Sequence, residues 1–397
     1  MMSITSRREL LAVVAPRYRA ARGEERVRIL EEFLASTSYH RKYALSLLNH
    51  PVTKGTARKQ RRRPRQYAFA VQQALVTCWR AANGICSKRL VPYLPELVRV
   101  LDQHGELHLE PQTKARLLAL SPATADRLLR AERQRAKPHG LGTTKPGTLL
   151  KSAIPMRTFA EWDEAEPGFT EIDLVAHGGS TTRGEYLHSL TITDVATGWT
   201  ECMALRNRGQ QSVFQALVLA RGRLPFPLRG IDSDNGSEFI NAHLLRYCQN
   251  EQLIFTRSRP YKKNDQVYVK QKNWSIVRQL VGYERYESAS AYEALQALYE
   301  VVRLYVNFFQ PSVKLVCKER VGSKVKKRYD KAKTPYQRVL ESEQVTEEVK
   351  ARLRQQYAPL NPVALLRQMQ RLQAVLWKLA AGEPTEQETA QTGAASS

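Results

Sequence analysis

The stretch IDSDNGSEF, residues 231–239, decides how the middle of this chain folds. An apolar run leads into it, and its Asn-Gly dipeptide is typical of tight turns because both residues tolerate a positive φ. An amphipathic pattern follows, so we predict a strand, a turn and a helix. Glu238 would lie in the first helical turn, where a carboxylate suits the helix dipole. Asp234 is then presented at the carboxyl end of a strand, where open α/β sheets bind their ligands.

A second acidic strand is predicted upstream, in FTEIDLV at residues 169–175. This segment alternates polar and apolar residues, carries Asp173 and stops before the pair Gly178-Gly179. Two aspartates on neighbouring strands, here Asp173 and Asp234, can hold a divalent metal through hard oxygen ligands. Asp232 shares the face of Asp234 and is a weaker candidate.

These two acidic strands resemble the catalytic core of DDE transposases and retroviral-type integrases, and the chain looks like the transposases of bacterial insertion sequences. The resemblance continues through FTRSRPYKKNDQ (255–266) and QKNWSIVRQLVGYERYE (271–287) and covers about residues 160–340. It implies an α/β RNase H-like fold and metal-dependent phosphoryl transfer. Mg²⁺ or Mn²⁺ would be held by Asp173 and Asp234, and the partner would be double-stranded DNA, as element ends and as target.

The family's third carboxylate, a glutamate on the helix after the second aspartate, has no counterpart here. Its position is taken by Lys270, where the family's His-Val-Glu reads Tyr-Val-Lys. A charged ammonium has three donors and no lone pair for a metal, and the exchange alters the local charge by two units. Neither Asp265 nor Glu284 sits on the right turn to replace it. We therefore expect weakened metal binding and impaired strand transfer, with Lys270 itself able to contact a phosphate.

The charge balance supports a polyanionic partner. The chain has 397 residues, with 62 Lys and Arg against 38 Asp and Glu, a net charge of +24. Nucleic acid and anionic membrane surfaces both suit such a surface. Because no apolar run is long enough to span a membrane and no signal-peptide pattern begins the chain, we expect no membrane partner and a cytoplasmic, nucleoid-associated place in a bacterium. The five scattered cysteines predict reduced thiols.

Residues 1–57 are predicted to form an all-α helix-turn-helix region. Apolar positions mark two short helices, at Val27, Leu30 and Leu34 with Ile29 and Phe33 beside them, and at Tyr39, Tyr43 and Leu47. The segment Ser36-Thr37-Ser38 would be the turn and cap the second helix. That helix would enter the major groove, with Arg41 and Lys42 off its apolar face. The alternative is an ordinary helical hairpin with a solvated basic face.

Residues 58–135 are predicted to be a second helical DNA-binding module. It starts with a basic run that would track phosphates or act as a solvated linker: Arg61, Arg62, Arg63 and Arg65. Pro92 and Pro95 are expected to break one segment into short pieces. Ser121 as N-cap and Pro122 as first residue predict a last helix, which makes either a second helix-turn-helix or a plain packing module. A Pro- and Gly-rich linker over 136–160 follows.

The core domain is predicted over residues 161–312. A hairpin over 186–205, a helix over 210–220 and a strand over 228–232 precede Asp234. A short strand then leads into a basic loop expected to bind DNA, with Arg257, Arg259, Lys262 and Lys263. In the next helix, about 266–281, positions 266, 270, 273 and 277 share one face. In the family, that face is directed toward the two aspartates. A buried helix ends the core.

The remainder is predicted as a basic C-terminal module with helices. Residues 313–345 would form a small β module or loop that grips DNA, with Lys324, Lys326, Lys327 and Arg328. Over 346–380, apolar residues repeat as in a coiled-coil seam, at Leu365, Met369, Leu372, Leu376 and Leu379. This seam either packs on the chain's own core or joins protomers into a homo-oligomer on DNA. Residues 381–397 are expected to be disordered.

These patterns predict a multidomain DNA-binding protein of the transposase and integrase type, with impaired catalysis. The alternative is a non-catalytic DNA-binding regulator derived from a transposase. A basic RNA-binding protein is a third hypothesis, which a preference for structured RNA over duplex DNA would support.

Overall fold

The computed structural model describes residues 2–50, 67, 69–134, 156–157, 166–181, 183–259, 263–321 and 324–380. The chain divides into two compact units, Met1–Gln66 and Tyr67–Ser397. The predicted basic run with Arg61, Arg62, Arg63 and Arg65, the loop residue Lys262 and the predicted disordered tail lie outside the described residues.

In the described part of the first unit, residues 2–50, there are three helices: α1 (Ile4–Ala20), α2 (Gly23–Thr37) and α3 (Arg41–Asn49). The last two were predicted, whereas α1 was not. The predicted faces were partly wrong, because Val27 and Tyr43 are 55% and 54% exposed, while Ala44 and Leu48 are buried. Two adjacent faces of α3 are apolar enough to be buried, and the face of Ala44 and Leu48 is the one that packs in a common cluster with side chains of α1 and α2.

The turn between α2 and α3 also differs from the prediction. Ser38 adopts the left-handed conformation that ends α2, and its backbone N–H bonds to Leu34. His40, without a side-chain cap, precedes α3. The hydroxyl of Thr37 donates to the Phe33 carbonyl instead of capping α3, because Thr37 is still helical and buried.

The second unit begins with five helices around their own apolar cluster: α4 (Phe69–Ala81), α5 (Ser87–Gln103), α6 (Pro111–Leu118), α7 (Pro122–Leu128) and α8 (Arg130–Gln134). The predicted start at Ser121 is confirmed, since its hydroxyl accepts from the Thr124 N–H at 3.2 Å. The predicted break at Pro92 and Pro95 was wrong. Helix α5 runs through both prolines because tertiary burial of its apolar face offsets the lost hydrogen bonds.

Helices α4 and α5 pack directly on the central part of the same unit. The Tyr305 hydroxyl donates to the Ala81 carbonyl at 2.7 Å, and the Tyr357 hydroxyl donates to the Glu96 carboxylate at 2.7 Å. The sequence-based boundary lay in the linker 136–160. By its internal contacts the chain divides at residue 66, and these helices belong to the same unit as the centre.

The centre is a six-stranded sheet whose strands are β1 (Met156–Arg157), β2 (Phe169–Ala176), β3 (His188–Asp194), β4 (Thr200–Leu205), β5 (Gly230–Ser233) and β6 (Ile254–Ser258). Their order is β1-β6-β5-β2-β3-β4. Strands β2, β3 and β4 are antiparallel neighbours, whereas β2, β5 and β6 run parallel. The predicted hairpin and both acidic strands are confirmed. Strand β1 lies inside the predicted linker, where it pairs with β6.

Helices cover this sheet: α9 (Gln210–Arg221), α10 (Ala242–Asn250), α11 (Val267–Lys272), continued by a π-helical turn (Asn273–Arg278), and α12 (Ala289–Phe309). The prediction that Glu238 lies in a first helical turn was wrong. Helix α10 starts later, where the Asn241 side chain accepts from the Leu244 N–H at 2.9 Å. Phe239 and Ile240 are buried in the intervening loop, so burial and the asparagine cap set the start of the helix.

The C-terminal part has a two-stranded sheet, β7 (Leu315–Val321) and β8 (Lys324–Tyr329), then α13 (Pro335–Glu341), α14 (Glu347–Tyr357) and α15 (Pro362–Lys378). The predicted apolar seam of α15 packs within the chain. Leu365, Met369 and Leu376 are buried in the same core as α12. No helix in the described part of the chain is long and apolar enough to cross a membrane.

One buried amide joins α12 to the sheet and provides a test of this architecture. Asn307 accepts from the Thr200 N–H and donates to the Thr200 carbonyl, both at 2.8 Å. We expect Asn307→Ala to lower the free energy of unfolding by about 2 kcal/mol, because both buried backbone groups lose their partner. Urea unfolding measures this, with Glu293→Ala on the exposed side of α12 as control. Equal stability of the two variants would contradict the packing described.

Candidate functional site

The two aspartates of the sequence motif meet at one edge of the sheet. Asp173 lies in β2, and Asp234 follows β5 directly. These strands are parallel neighbours, with Glu171 opposite Asp232 and Ile172 opposite Ser233. The next residues along the two strands are Asp173 and Asp234. The strand order therefore brings together two side chains that are 61 positions apart in the sequence.

Hydrogen bonds orient both carboxylates. One oxygen of Asp173 accepts from the Leu174 N–H and the other accepts from the Asn273 side-chain amide, both at 2.9 Å. One oxygen of Asp234 accepts from the Gly236 N–H at 2.9 Å. The pKa of Asp173 is raised to about 7, chiefly by burial and also by the Asp234 carboxylate, while the Lys270 ammonium opposes the rise. The site is therefore crowded with negative charge that one cation partly offsets.

Helix α11 and the π-helical turn have a row of polar side chains on the face that packs against these strands. Lys270 donates to the Gln266 side-chain oxygen at 3.0 Å, and the Gln266 amide donates to the Ile172 carbonyl at 3.4 Å. Asn273 reaches Asp173, while Val277 on the same face is buried among apolar side chains. The predicted face of the helix thus covers the acidic strands, with lysine and two amides as its polar groups.

A second pair of carboxylates lies deeper along the same two strands. Glu171 and Asp232 face each other in register and are buried. Glu171 accepts from the Val269 N–H at 2.7 Å, and burial raises its pKa to about 8. Asp232 accepts from the Thr256 hydroxyl at 2.6 Å. Sequence analysis missed Glu171, although it lies two residues before Asp173, so strand alternation places it on the same face.

Glu238 adds a further carboxylate to the edge of the site. Its carboxyl group folds back over Gly236, where a Cβ atom would lie 2.6 Å from a Glu238 oxygen. A side chain at position 236 would therefore require the Glu238 carboxyl group to move. Burial raises the pKa of Glu238, and the neighbouring Asp234 carboxylate contributes to the rise.

The side chains around Asp173 and Asp234 offer few oxygen ligands for a divalent ion. Asp173 and Asp234 offer hard carboxylate oxygens, which suit Mg²⁺. Lys270 and the Asn273 amide nitrogen present only N–H donors, so neither is a ligand as placed. Among the described residues, no three His, Cys, Asp or Glu side chains lie together in a way that could hold a metal ion.

Two predicted basic residues near the site have structural partners. Arg257 was predicted in a loop, which was wrong, because it lies inside β6, is buried and donates to the Asn235 side chain at 3.1 Å. Arg259 grips Asp265 with bonds of 2.7 and 2.8 Å. Asp265 is therefore paired with a cation. It also does not lie on the helical turn where the family has its third carboxylate.

The other predicted DNA contacts that the structure describes lie on three separate elements. Arg41 and Lys42 are exposed at the start of α3, where Arg41 bonds to Glu31. Lys326, Lys327 and Arg328 are exposed on β8. Of Lys263 and Lys324 the structure describes the backbone, at the start of a 3₁₀ turn and of β8.

Comparison with known proteins agrees with this architecture. Residues 163–263 match the family described as Integrase core domain. The chain is 43% identical over 328 residues to the uncharacterized protein y4rM of Sinorhizobium fredii (strain NBRC 101917 / NGR234), covering 83% of this chain and 93% of that protein.

Solved structures also align with part of the chain. The catalytic core domain of BIV integrase aligns at 17% identity and a TM-score of 0.29, over 44% of this chain and 95% of that one. A chain of the simian T-cell lymphotropic virus intasome, in complex with PP2A regulatory subunit B56 gamma, aligns at 16% identity and a TM-score of 0.26. The alignment covers 46% of this chain and 59% of that one.

The balance of charge around Lys270 can be tested through stability alone. We expect Lys270→Glu to lower the Tm in metal-free buffer, because it adds a carboxylate beside Asp173 and removes a cation. Mn²⁺ or Mg²⁺ should then raise its Tm, by the equivalent of about 2.7 kcal/mol at 100 times Kd. Wild type should respond little.

The matched control is Lys270→Met, which removes the cation without adding a ligand. It should lose stability in metal-free buffer and gain less from Mn²⁺ than Lys270→Glu. An equal metal response of wild type and Lys270→Glu would contradict this account of the site.

Proposed function

Since the chain belongs to the integrase-core family of DDE transposases and integrases, we propose that it is a DNA-binding protein of the insertion-sequence transposase type whose strand transfer is impaired at Lys270. It binds double-stranded DNA, as element ends and as target. Its ancestral activity is metal-dependent phosphoryl transfer between DNA strands.

The observation that carries this proposal is the ammonium over the acidic strands. Lys270 donates to Gln266 at 3.0 Å, and its charge opposes the rise that burial causes in the pKa of Asp173 and of Glu171. A unit cation about 6 Å from a divalent ion opposes its binding by about 5 kcal/mol at an effective dielectric of about 20. In the family, metal ions activate the nucleophile and stabilise the leaving oxygen. Here Lys270 instead neutralises part of the charge that would attract such ions.

The residues that remain support DNA binding. Asp173 and Asp234 are held by the backbone and by Asn273, so the centre keeps its shape without a third carboxylate. A net charge of +24 attracts phosphates at long range. Helices α2 and α3 form the proposed helix-turn-helix, with Arg41 and Lys42 as phosphate contacts. Assembly as a homo-oligomer on DNA belongs to this proposal.

The second candidate function is a regulator with no catalysis, which Lys270 also favours. A purified regulator would occupy element ends without cutting or joining them. The two candidates differ in residual chemistry alone, so an activity measurement distinguishes them.

Strand joining on a labelled element end tests the proposal. We expect Lys270→Glu to join DNA in Mg²⁺ or Mn²⁺ and wild type to join far less, because the variant restores a third carboxylate. The double variant Lys270→Glu/Asp234→Ala controls for contaminating nuclease and should give no product. Equal joining by wild type would show that Lys270 does not impair the chemistry. No joining and no DNA binding by either protein would reject the proposed function.

The salt dependence of duplex binding tests the helix-turn-helix. We expect Arg41→Ala/Lys42→Ala to reduce the slope of log K against log salt by about 1.8, if each side chain neutralises one phosphate. Arg371→Ala/Lys378→Ala, on exposed positions of α15, removes the same charge elsewhere and serves as control. Equal slopes for the two double variants would place the phosphate contacts outside α3.

A further inference from the structure

The two strands β7 and β8 form a sheet of their own, apart from the six-stranded sheet. They pair antiparallel, with Arg320 opposite Val325 and Glu319 opposite Lys326. A two-stranded hairpin by itself is marginally stable in water, because it has no second layer on which to bury a face. We call this element the ribbon, residues 315–321 and 324–329.

The base of the ribbon is fixed firmly to the rest of the unit. The Lys314 N–H donates to the Asp330 carboxylate at 2.6 Å, and Arg338 donates to the other oxygen of the same carboxylate at 2.6 Å. The Lys314 ammonium donates to the Ala196 carbonyl at 2.6 Å. These bonds hold the two ends of the ribbon together, so its orientation is set at the base while its strands stay exposed.

The two faces of the ribbon differ in chemistry. Val325, Lys327 and Tyr329 alternate along β8 and share one face, with Arg320 opposite Val325. Val325 is 48% and Tyr329 is 50% exposed. We call this the mixed face, because it combines apolar and basic side chains, and none of its described side chains is acidic.

The opposite face carries Lys326 and Arg328, which are also exposed. There Glu319 lies opposite Lys326 and accepts from the Cys317 thiol, so this face includes a negative charge. A polyanion therefore has a reason to prefer the mixed face. Exposed valine and tyrosine beside lysine and arginine also match a surface that offers apolar groups flanked by anions.

The major groove of B-DNA is such a surface. It admits a two-stranded β-ribbon, shows thymine methyl groups among its base edges, and is bordered by phosphates. We propose that the ribbon inserts into the major groove of duplex DNA with its mixed face toward the bases. Val325 and Tyr329 then contact base edges, and Lys327 and Arg320 contact phosphates or base acceptors. This rests on the proposed function as a DNA-binding protein and adds which element reads the duplex and through which groove.

Adjacent residues of β8 provide a matched test. Anisotropy of a labelled 30-base-pair duplex of mixed sequence measures binding by the full chain. We expect Lys327→Ala to weaken binding more than Lys326→Ala, although each removes one charge. Val325→Ser/Tyr329→Ser should weaken it roughly tenfold, as expected for lost base contacts. Val375→Ser/Trp377→Ser, on equally exposed apolar positions of α15, should leave binding unchanged.

Methyl green, which occupies the major groove, should compete, and netropsin, which occupies the minor groove, should not.

The possible failures are distinguishable. If the intact chain binds no duplex at any salt concentration, the proposed function fails and the ribbon proposal fails with it. If the intact chain binds and every ribbon variant binds equally well, only the ribbon proposal is overturned. Competition by netropsin alone would also overturn it.

Two other partners are outcomes of the same variants. Loss of self-association in sedimentation by Val325→Ser/Tyr329→Ser, with DNA binding intact, would assign the mixed face to a second copy of this chain and overturn the proposal. Loss of binding to vesicles containing phosphatidylserine, again with DNA binding intact, would assign it to a lipid surface. Retained folding of the variants is checked by their Tm.

Discussion

The structure depends on keeping several carboxylates together at one edge of a sheet. Glu171 and Asp173 on β2 lie beside Asp232 and Asp234 at β5, because the register of the parallel strand pair fixes which residues are neighbours. Burial alone penalises such charge, and mutual repulsion adds to the penalty, which is why the pKa values of Asp173 and Glu171 rise. Such a cluster of buried carboxylates is stable only where hydrogen-bond donors or cations offset its free-energy cost.

Helix α11 and the π-helical turn supply that compensation within one short segment. The Val269 N–H binds Glu171, the Asn273 amide binds Asp173, and the Lys270 ammonium adds a positive charge held by Gln266. The rest of the unit positions this segment, because Val277 is buried in the central core. In the proposed function, the same compensation opposes a second metal ion. On that proposal, the cation that offsets the buried carboxylates is also the one that weakens the ancestral chemistry.

The chain as a whole shows how much could be predicted from local pattern. The two acidic strands, the hairpin and the helix face at 266, 270 and 273 follow from alternation and helical spacing, which act over a few residues. Glu171 was within reach of the same logic, since it alternates with Asp173. The exposed side of α3 and the continuity of α5 through Pro92 and Pro95 could not be predicted in this way. Each depends on which face of the helix is buried by elements that are distant in the sequence.

By itself, the sequence determined the family, the two aspartates, the lysine at position 270 and the strong positive charge, because these properties lie in residue identity and short-range order. Only the tertiary structure decided that Asn273 binds Asp173, that Arg257 and Asp265 are used internally, and that the seam of α15 is buried on α12. It also decided that helices α4 and α5 join the central unit. The physical reason is the same in each case. A side chain's partner is set by the packing of elements far apart in sequence, and the free energy of burial is shared among all of them.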